Sequence, residues 1–365
     1  MKVTCLQENL KNNLNITQNI IGRNLTLPIL NNLLLQTENN YLKISSTNLE
    51  IGINTWTTGK IEKNGSITCP AKILASLVNN LPNKKIELEV KNNTLIIKCE
   101  NYKAIIKGLS AEDFPIIPKI KEPILGEIEI NILRNSLSQV VSSAAISELR
   151  PEISGILFSF NKNNLKLVAT DSFRLAEKII FINTKNELNK LLIIPQRTIQ
   201  ELIRILTEKD GLVKIISDGS QIMFELKDIQ LISRLIDGQY PDYQQIIPNN
   251  FTTEAILERE QLLNIVRIAS LFSSKINDIK FLLQSGKLEV LSEDQDLGEN
   301  RSQLAGKIKG KNLEVVFNYR YLLDGLTNIN TKEIFLGLNT DAGPAAIKPV
   351  GEDNYLYIVM PIKTG

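Results

Sequence analysis

The chain contains no histidine. That absence removes Ser-His and Cys-His nucleophile pairs, imidazole general bases and histidine metal ligands together. Cysteine is scarce: Cys5, Cys69 and Cys99 stand far apart and form no CxxC pair. An odd, unclustered set argues against a disulfide framework or a zinc site and leaves small buried hydrophobes as the expectation. No run approaches the roughly 20 apolar residues of a membrane span. The opening MKVTCLQENLKNNL has no apolar signal region, so a cytoplasmic location is expected. There is no GxxxxGK[ST] loop, and Gly306-Lys307-Ile308-Lys309-Gly310-Lys311 has the wrong spacing for one, so it reads as a solvated turn. The acidic run 293–298 misplaces the glycine of a calcium loop and reads as a turn. Excess charge of one sign is also missing: 42 Lys and Arg face 40 Asp and Glu, a formal net of +2. This argues against a protein that grips DNA over one broad basic face, but not against one that touches it lightly. Carboxylate-only metal chemistry stays open through Asp113, Asp171 and Asp242, although each reads first as a turn or cap residue.

What the chain has is repetition. At 365 residues it is long for a single core, and two or three domains are expected. Leu42-Lys43-Ile44, Leu165-Lys166-Leu167 and Leu288-Glu289-Val290 open three alternating segments, each 123 residues from the next. Alternation of this kind marks half-buried strands. An apolar strand precedes each: LPILNNLLLQ, ISGILFSF and IKFLLQ. A helical pattern follows each, from Pro70, Pro195 and Asn318, with Pro70 and Pro195 expected in the first helical turn. A second helical pattern opens each third, near residues 5 to 14, 130 to 142 and 258 to 271. Phe114-Pro115-Ile116-Ile117-Pro118 and Tyr240-Pro241-Asp242-Tyr243 close the first two thirds alike. The reading is α+β: three similar domains, 1–121, 122–248 and 249–365, each with two helices packed on antiparallel sheets.

Ordered motifs then suggest a family. Thr170-Asp171-Ser172-Phe173-Arg174-Leu175-Ala176 resembles the TDGHRLA signature of bacterial DNA sliding clamps, the DNA polymerase III beta subunits. Thr26 to Leu30 resembles their TLPIL, Asp237-Gly238 with Tyr240 to Tyr243 their DGxFPDY, and Asn318 to Leu323 their NPRYLLDAL helix. Pro344 to Pro349 resembles PALIRP, and Val359-Met360-Pro361 the terminal VMPMRL. The resemblance covers the whole chain. It implies the clamp fold as a half-ring, a head-to-tail homodimer closing a ring around duplex DNA, and a non-catalytic accessory of the DNA-directed polymerase with no cofactor. Its partners would be the polymerase III catalytic subunit, the clamp loader, other polymerases and mismatch-repair proteins.

By position, the resemblance implies a peptide pocket lined by Ile153, Thr170, Ser172, Phe173, Arg174, Leu175, Pro241, Gln245, Ile246, Asn318, Tyr321, Pro344, Ile358, Val359, Met360, Pro361 and Ile362. Arg23, Lys72, Arg150 and Arg197 would meet DNA, Arg320 stands where Lys72 and Arg197 do in the repeat, and Arg134, Arg204, Arg259 and Arg267 also fall in helices. Leu271 and Phe272 would form the dimer joint; taken singly they read equally well as core. The chain departs from the pattern: Ser172-Phe173 replaces Gly-His, Gln245 stands where arginine is frequent, and Ile362-Lys363-Thr364-Gly365 replaces Met-Arg-Leu. Two readings from other classes remain: a carboxylate-dependent nuclease with duplicated domains, and a structural repeat protein that binds no nucleic acid.

Overall fold

Short alternating segments separated by turn residues should give many short antiparallel strands. The computed structural model of the chain describes residues 1–22, 26–147, 149–182, 189–207 and 209–363. Among these residues it has 26 strands and six α-helices. The three alternating segments are the second strands of hairpins: Asn32–Glu38 with Tyr41–Thr47, Gly155–Asn161 with Asn164–Thr170, and Asp278–Gln284 with Lys287–Asp294. Each turns through two residues, and the first does so through Asn39 and Asn40, both at positive φ, as tight hairpins require. One sequence expectation shifts: Pro28–Asn31 is a 3-10 turn, and the strand begins only at Asn32. Proline, lacking an N–H, opens the turn rather than entering the ladder.

All six expected helices are present: α1 (Gln7–Thr17), α2 (Ala71–Asn80), α3 (Ile130–Val141), α4 (Gln196–Leu206), α5 (Arg259–Ser270) and α6 (Tyr319–Thr327). Pro70 and Pro195 sit one residue ahead of their helices, as the last residues of strands, rather than within the first turn. Their fixed φ suits the bend from strand to helix. Each helix buries one stripe, as Ala71, Leu74, Ala75 and Val78 do in α2, the spacing of an amphipathic helix.

The chain divides into two compact units, one of residues 1–131 with 200–235, the other of 132–199 with 236–365. The first holds a five-stranded antiparallel sheet, ordered Lys60–Lys63, Lys2–Leu6, Lys85–Lys91, Thr94–Cys99, Tyr102–Lys107. It also holds an eight-stranded sheet whose central seam pairs Ile229–Arg234 with Ile51–Thr58. The second unit holds a nine-stranded sheet with a matching seam, Tyr355–Val359 against Arg174–Phe181. Its other sheet has four strands, ordered Gly298–Ala305, Lys287–Asp294, Asp278–Gln284, Leu313–Asn318. Within each seam, strands far apart in sequence share a ladder, so backbone groups at the edge of one repeat are satisfied by the next.

One turn recurs at the same place in the repeat. At 47–51, Thr47 Oγ1 donates to Ile51 O (2.9 Å) and accepts from Leu49 N (3.0 Å), while Asn48 Oδ1 accepts from Glu50 N and Ile51 N. At 170–174, Thr170 and Asp171 make the same bonds with Arg174, Ser172 and Phe173. Outside that register, Ser217 and Asp218 form the same turn around Gly219, between two other strands. The third residue has φ near the left-handed region each time: Leu49 +77°, Ser172 +78°, Gly219 +94°. Asp171 is therefore a turn residue, as its sequence position suggested, and Asp242 accepts from Gln245 Nε2 at 2.7 Å.

Cys5, Cys69 and Cys99 are free and buried, the small hydrophobes expected. Burial pushes the thiols of Cys5 and Cys69 up to about 12, so thiolate is nearly absent at neutral pH. A thiol reagent such as DTNB at pH 8 should therefore leave both unmodified in the native chain and label all three cysteines in guanidinium. Rapid labelling of the native chain would contradict this packing.

Candidate functional site

The residues assigned by position gather at one end of the second unit's seam. Arg174 pairs with Val359 and Leu175 with Ile358. Beyond that last pair the ladder continues irregularly: Met360 N donates to Phe173 O (2.8 Å), and Ile362 N to Val316 O (2.8 Å). The C-terminal segment is thus laced between the 170–174 turn and the strand that leads into α6. Leu175 and Ile358 belong to a buried cluster with Leu157, Val168, Ile193, Tyr240, Tyr243, Ala346 and Leu356. Ile153, Thr170 and Val359 are also buried. Ser172, Phe173, Gln245 and Ile246 are exposed, and Pro241, Asn318, Tyr321, Pro344, Met360, Pro361 and Ile362 are half-buried. The result is an apolar floor with a mixed rim, the usual form of a docking surface.

Arg174 is the hub. Its Nε meets Asp171 Oδ2 at 3.0 Å, its Nη1 bonds Asp324 in α6, and its Nη2 donates to Ser142 O at 2.7 Å. Its guanidinium lies 4.6 Å from the centre of the Tyr321 ring. Burial by itself would lower its pKa, but Tyr357, Asp324 and Asp171 outweigh burial and hold the group charged, above its ordinary value. A buried cation with several charge-assisted bonds fixes the turn against α6. Tyr357, in the seam, donates to Tyr321 O at 2.8 Å. Its ring lies so close to α6 that a Cβ at Gly325 would come within 2.6 Å of it, which is why that helical position holds glycine.

The closing segment is pinned from beneath. Tyr243 donates to Glu177 Oε2 at 2.6 Å, which holds the 3-10 turn Tyr243–Ile246 and so presents Gln245 and Ile246. The lining assigned by position leaves out Tyr357, Asp324, Tyr243 and Glu177. Tyr243 stood in the closing motif without a role assigned to it, and Glu177 left a weaker signal, a carboxylate among Leu175, Ala176, Ile179 and Ile180. Asn318 caps α6, accepting from Arg320 N at 2.9 Å, the preferred side chain for that post.

Ser172 sits where the resemblance expects glycine, and its φ of +78° explains the glycine. Its hydroxyl accepts from Arg150 Nη1 at 3.1 Å, a partial return that glycine lacks. Phe173, where the resemblance expects histidine, is 60% exposed and stacks on Tyr321 with centroids 6.5 Å apart at 20°.

Of the other positions, Arg23 lies outside the described residues. Lys72, Arg150, Arg197, Arg267 and Arg320 are exposed. Arg204 donates to Ile16 O at the end of α1, and Arg259 to Leu326 O near the end of α6. Both serve helix C-termini. Leu271, the C-cap of α5, is 67% exposed and Phe272 half-buried, so Leu271 is not core.

Residues 1–118, 127–242 and 244–363 match, in turn, the family models for the N-terminal, central and C-terminal domains of the DNA polymerase III beta subunit. The beta sliding clamp of Synechocystis sp. is 30% identical over all of this chain and 99% of its own. Solved clamps from Bacillus subtilis and Pseudomonas aeruginosa superpose with TM-scores of 0.96 and 0.95 at 26% and 28% identity, each over the full length of both chains.

Ser172→Gly should raise stability by roughly 0.5–1 kcal/mol, because relief of the left-handed backbone exceeds one exposed hydrogen bond. Thermal unfolding checks it; a lower midpoint would show that the Arg150 bond dominates.

Proposed function

Because the chain belongs to the DNA polymerase III beta subunit family, the bacterial sliding clamps, we propose that two copies close head to tail into a ring around duplex DNA. The ring tethers the replicative polymerase, its loader and repair proteins through the site at the end of the second seam. It acts without catalysis of its own: topology, not affinity, holds it on DNA. Exposed Lys72, Arg197 and Arg320 on α2, α4 and α6, with Arg150, meet phosphates weakly and read no base, which permits sliding. The three modules run 1–121, 122–248 and 249–365.

One observation carries the reading: the seam recurs, and it leaves two edges over. The strand at 51–58 recurs as Arg174–Phe181 and then as Gly298–Ala305. The first two are paired across a seam; the third is the edge of the four-stranded sheet. The other partner in the seam recurs as Tyr355–Val359, Ile229–Arg234 and Tyr102–Lys107, and the last of these is the edge of the five-stranded sheet. Exposed sheet edges invite pairing. A second copy supplies each edge with the partner the repeat prescribes, a heterologous contact that closes after two chains. The edges are complementary: Lys103 and Lys107 lie on one, and Glu299, with Asp294 and Asp296 beside it, on the other. Exposed Ile105, at 61%, and Leu271, at 67%, add the apolar anchors that interfaces need.

The test is loading. With its loader and ATP, the protein should stay on nicked circular DNA and run off once the circle is linearised; equal retention would point to a groove binder and end the reading. Leu271→Ala with Phe272→Ala should convert the dimer to monomer in sedimentation velocity, and a persisting dimer would mean the joint lies elsewhere. Removing residues 361–365 should cut binding of a partner's clamp-binding peptide at least tenfold and leave the dimer intact; unchanged affinity would refute the assigned pocket.

A further inference from the structure

The second unit's seam has another end, where Lys178 pairs with Tyr355, and a cleft lies there that the docking site does not use. It has a volume of about 570 Å³ and is walled by α3, the residues just after α6 and the seam strands, with Ile132, Gln139, Asn330, Ile179 and Phe181 among its lining. We infer that Lys178, which also lines this cleft, is an acylation site: its side-chain amine takes the acyl group of a small acyl phosphate.

The walls of the cleft are fixed. Tyr355 donates to Gln139 O at 3.3 Å, and Gln139 Nε2 donates to Asn328 O at 2.7 Å, which ties α3 to the seam and to the end of α6. Half-buried Lys178 donates to Asn354 Oδ1 at 2.8 Å. That acceptor is neutral. Lys2, Lys280 and Lys287 are held instead by the carboxylates of Glu62, Glu314 and Glu289, which stabilise the ammonium form. An amide oxygen holds an amine by one N–H and leaves its lone pair for attack. Burial lowers the pKa of Lys178, with Glu352 opposing, as desolvation does for nucleophilic lysines. Tyr355, the other titratable group of the cleft, is kept neutral by its own burial.

The fold does not demand a lysine at this point. In the first unit Trp56 N donates to Asp228 O at 3.1 Å where Ile179 N donates to Asn354 O at 2.8 Å in the second, and the residue ahead of Trp56 is the fully buried Thr55. In the transfer, the nitrogen lone pair attacks the acyl carbon, a C–N bond forms, and the bond from that carbon to the phosphate oxygen breaks. Inorganic phosphate leaves with the electron pair and takes up the proton that the nitrogen gives up. The product is a neutral amide with one N–H left for Asn354.

The test incubates the full chain with acetyl phosphate at pH 8 and follows each lysine by peptide mass spectrometry. Lys178 should be acetylated at least about threefold faster than Lys72 and Lys332, both of which are exposed. Its rate should level off at a lower pH than that of free Nα-acetyllysine in the same solution, because a lowered pKa completes deprotonation sooner. Asn354→Asp, nearly isosteric, sets a carboxylate beside the amine and should slow Lys178 at least about threefold. Glu352→Gln, at an exposed position and so harmless to folding, should quicken it. Neither change should move the rate at Lys72. Acetylation of Lys178 no faster than of the two exposed lysines, or a rate that both substitutions leave unchanged, overturns the inference.

Discussion

A β-sheet edge is a row of N–H and C=O groups that must find partners or water. Each repeat in this chain ends its sheets on strands that only another repeat can complete. In both units the completion takes the same form: the last strand of one half-sheet lies antiparallel to the third strand of another. Helices, core and docking site are arranged about that seam. α1 packs on the eight-stranded sheet and α5 on the four-stranded one; the seamed sheets are eight and nine strands wide where the unseamed ones have four and five. In the proposed ring, closure is the same demand applied to the two edges left over.

The seam also supplies equivalent backbone frames in the two units, of which the proposed docking site uses one. In the second unit, Met360 N reaches Phe173 O where the seam ends. In the first, Arg234 N reaches Glu50 O at 3.0 Å at the equivalent point, and Ile232 faces Gly52 as Ile358 faces Leu175. The side chains differ. Glu50 replaces the exposed phenylalanine, and Ile117 packs where Leu175 would be: a Cβ at Gly52 would come within 2.8 Å of it. Ile117 takes up the floor of the first unit's frame, with Leu49 and Ile116 exposed at its rim, while the second unit's rim carries the exposed Phe173. Duplication supplied two frames, and side chains divided their use.

Much of this was legible in the sequence because it is local. Alternation and two-residue turns located the hairpins, the stripe spacing located all six helices, and a constant period exposed the repeat. What escaped depends on contacts between distant residues. Nothing local says that Ile229–Arg234 pairs with Ile51–Thr58 rather than with a neighbour. Pro28 looked like strand because apolar residues surround it. The strain at Ser172 shows only in a backbone angle, and the hub role of Arg174 needs Asp324, 150 residues away. Position in a motif pointed to Phe173, but only the fold shows it as a held ring with an open face.

The central claim, that one kind of edge pairing builds the sheets and closes the ring, reduces to a register. Carried along the repeat, the seams Leu231 with Ile53 and Tyr357 with Ala176 set Ala104 of one copy opposite Asn300 of the other. A chain with Ala104→Cys and Asn300→Cys, oxidised and run on a non-reducing gel, should appear as a covalent dimer that thiols release. With Ile105→Cys and Asn300→Cys, the one-residue shift turns the side chains to opposite faces, and the chain should run as an uncross-linked monomer on the same gel. Cross-linking of the second pair but not the first, or of neither, would contradict the account.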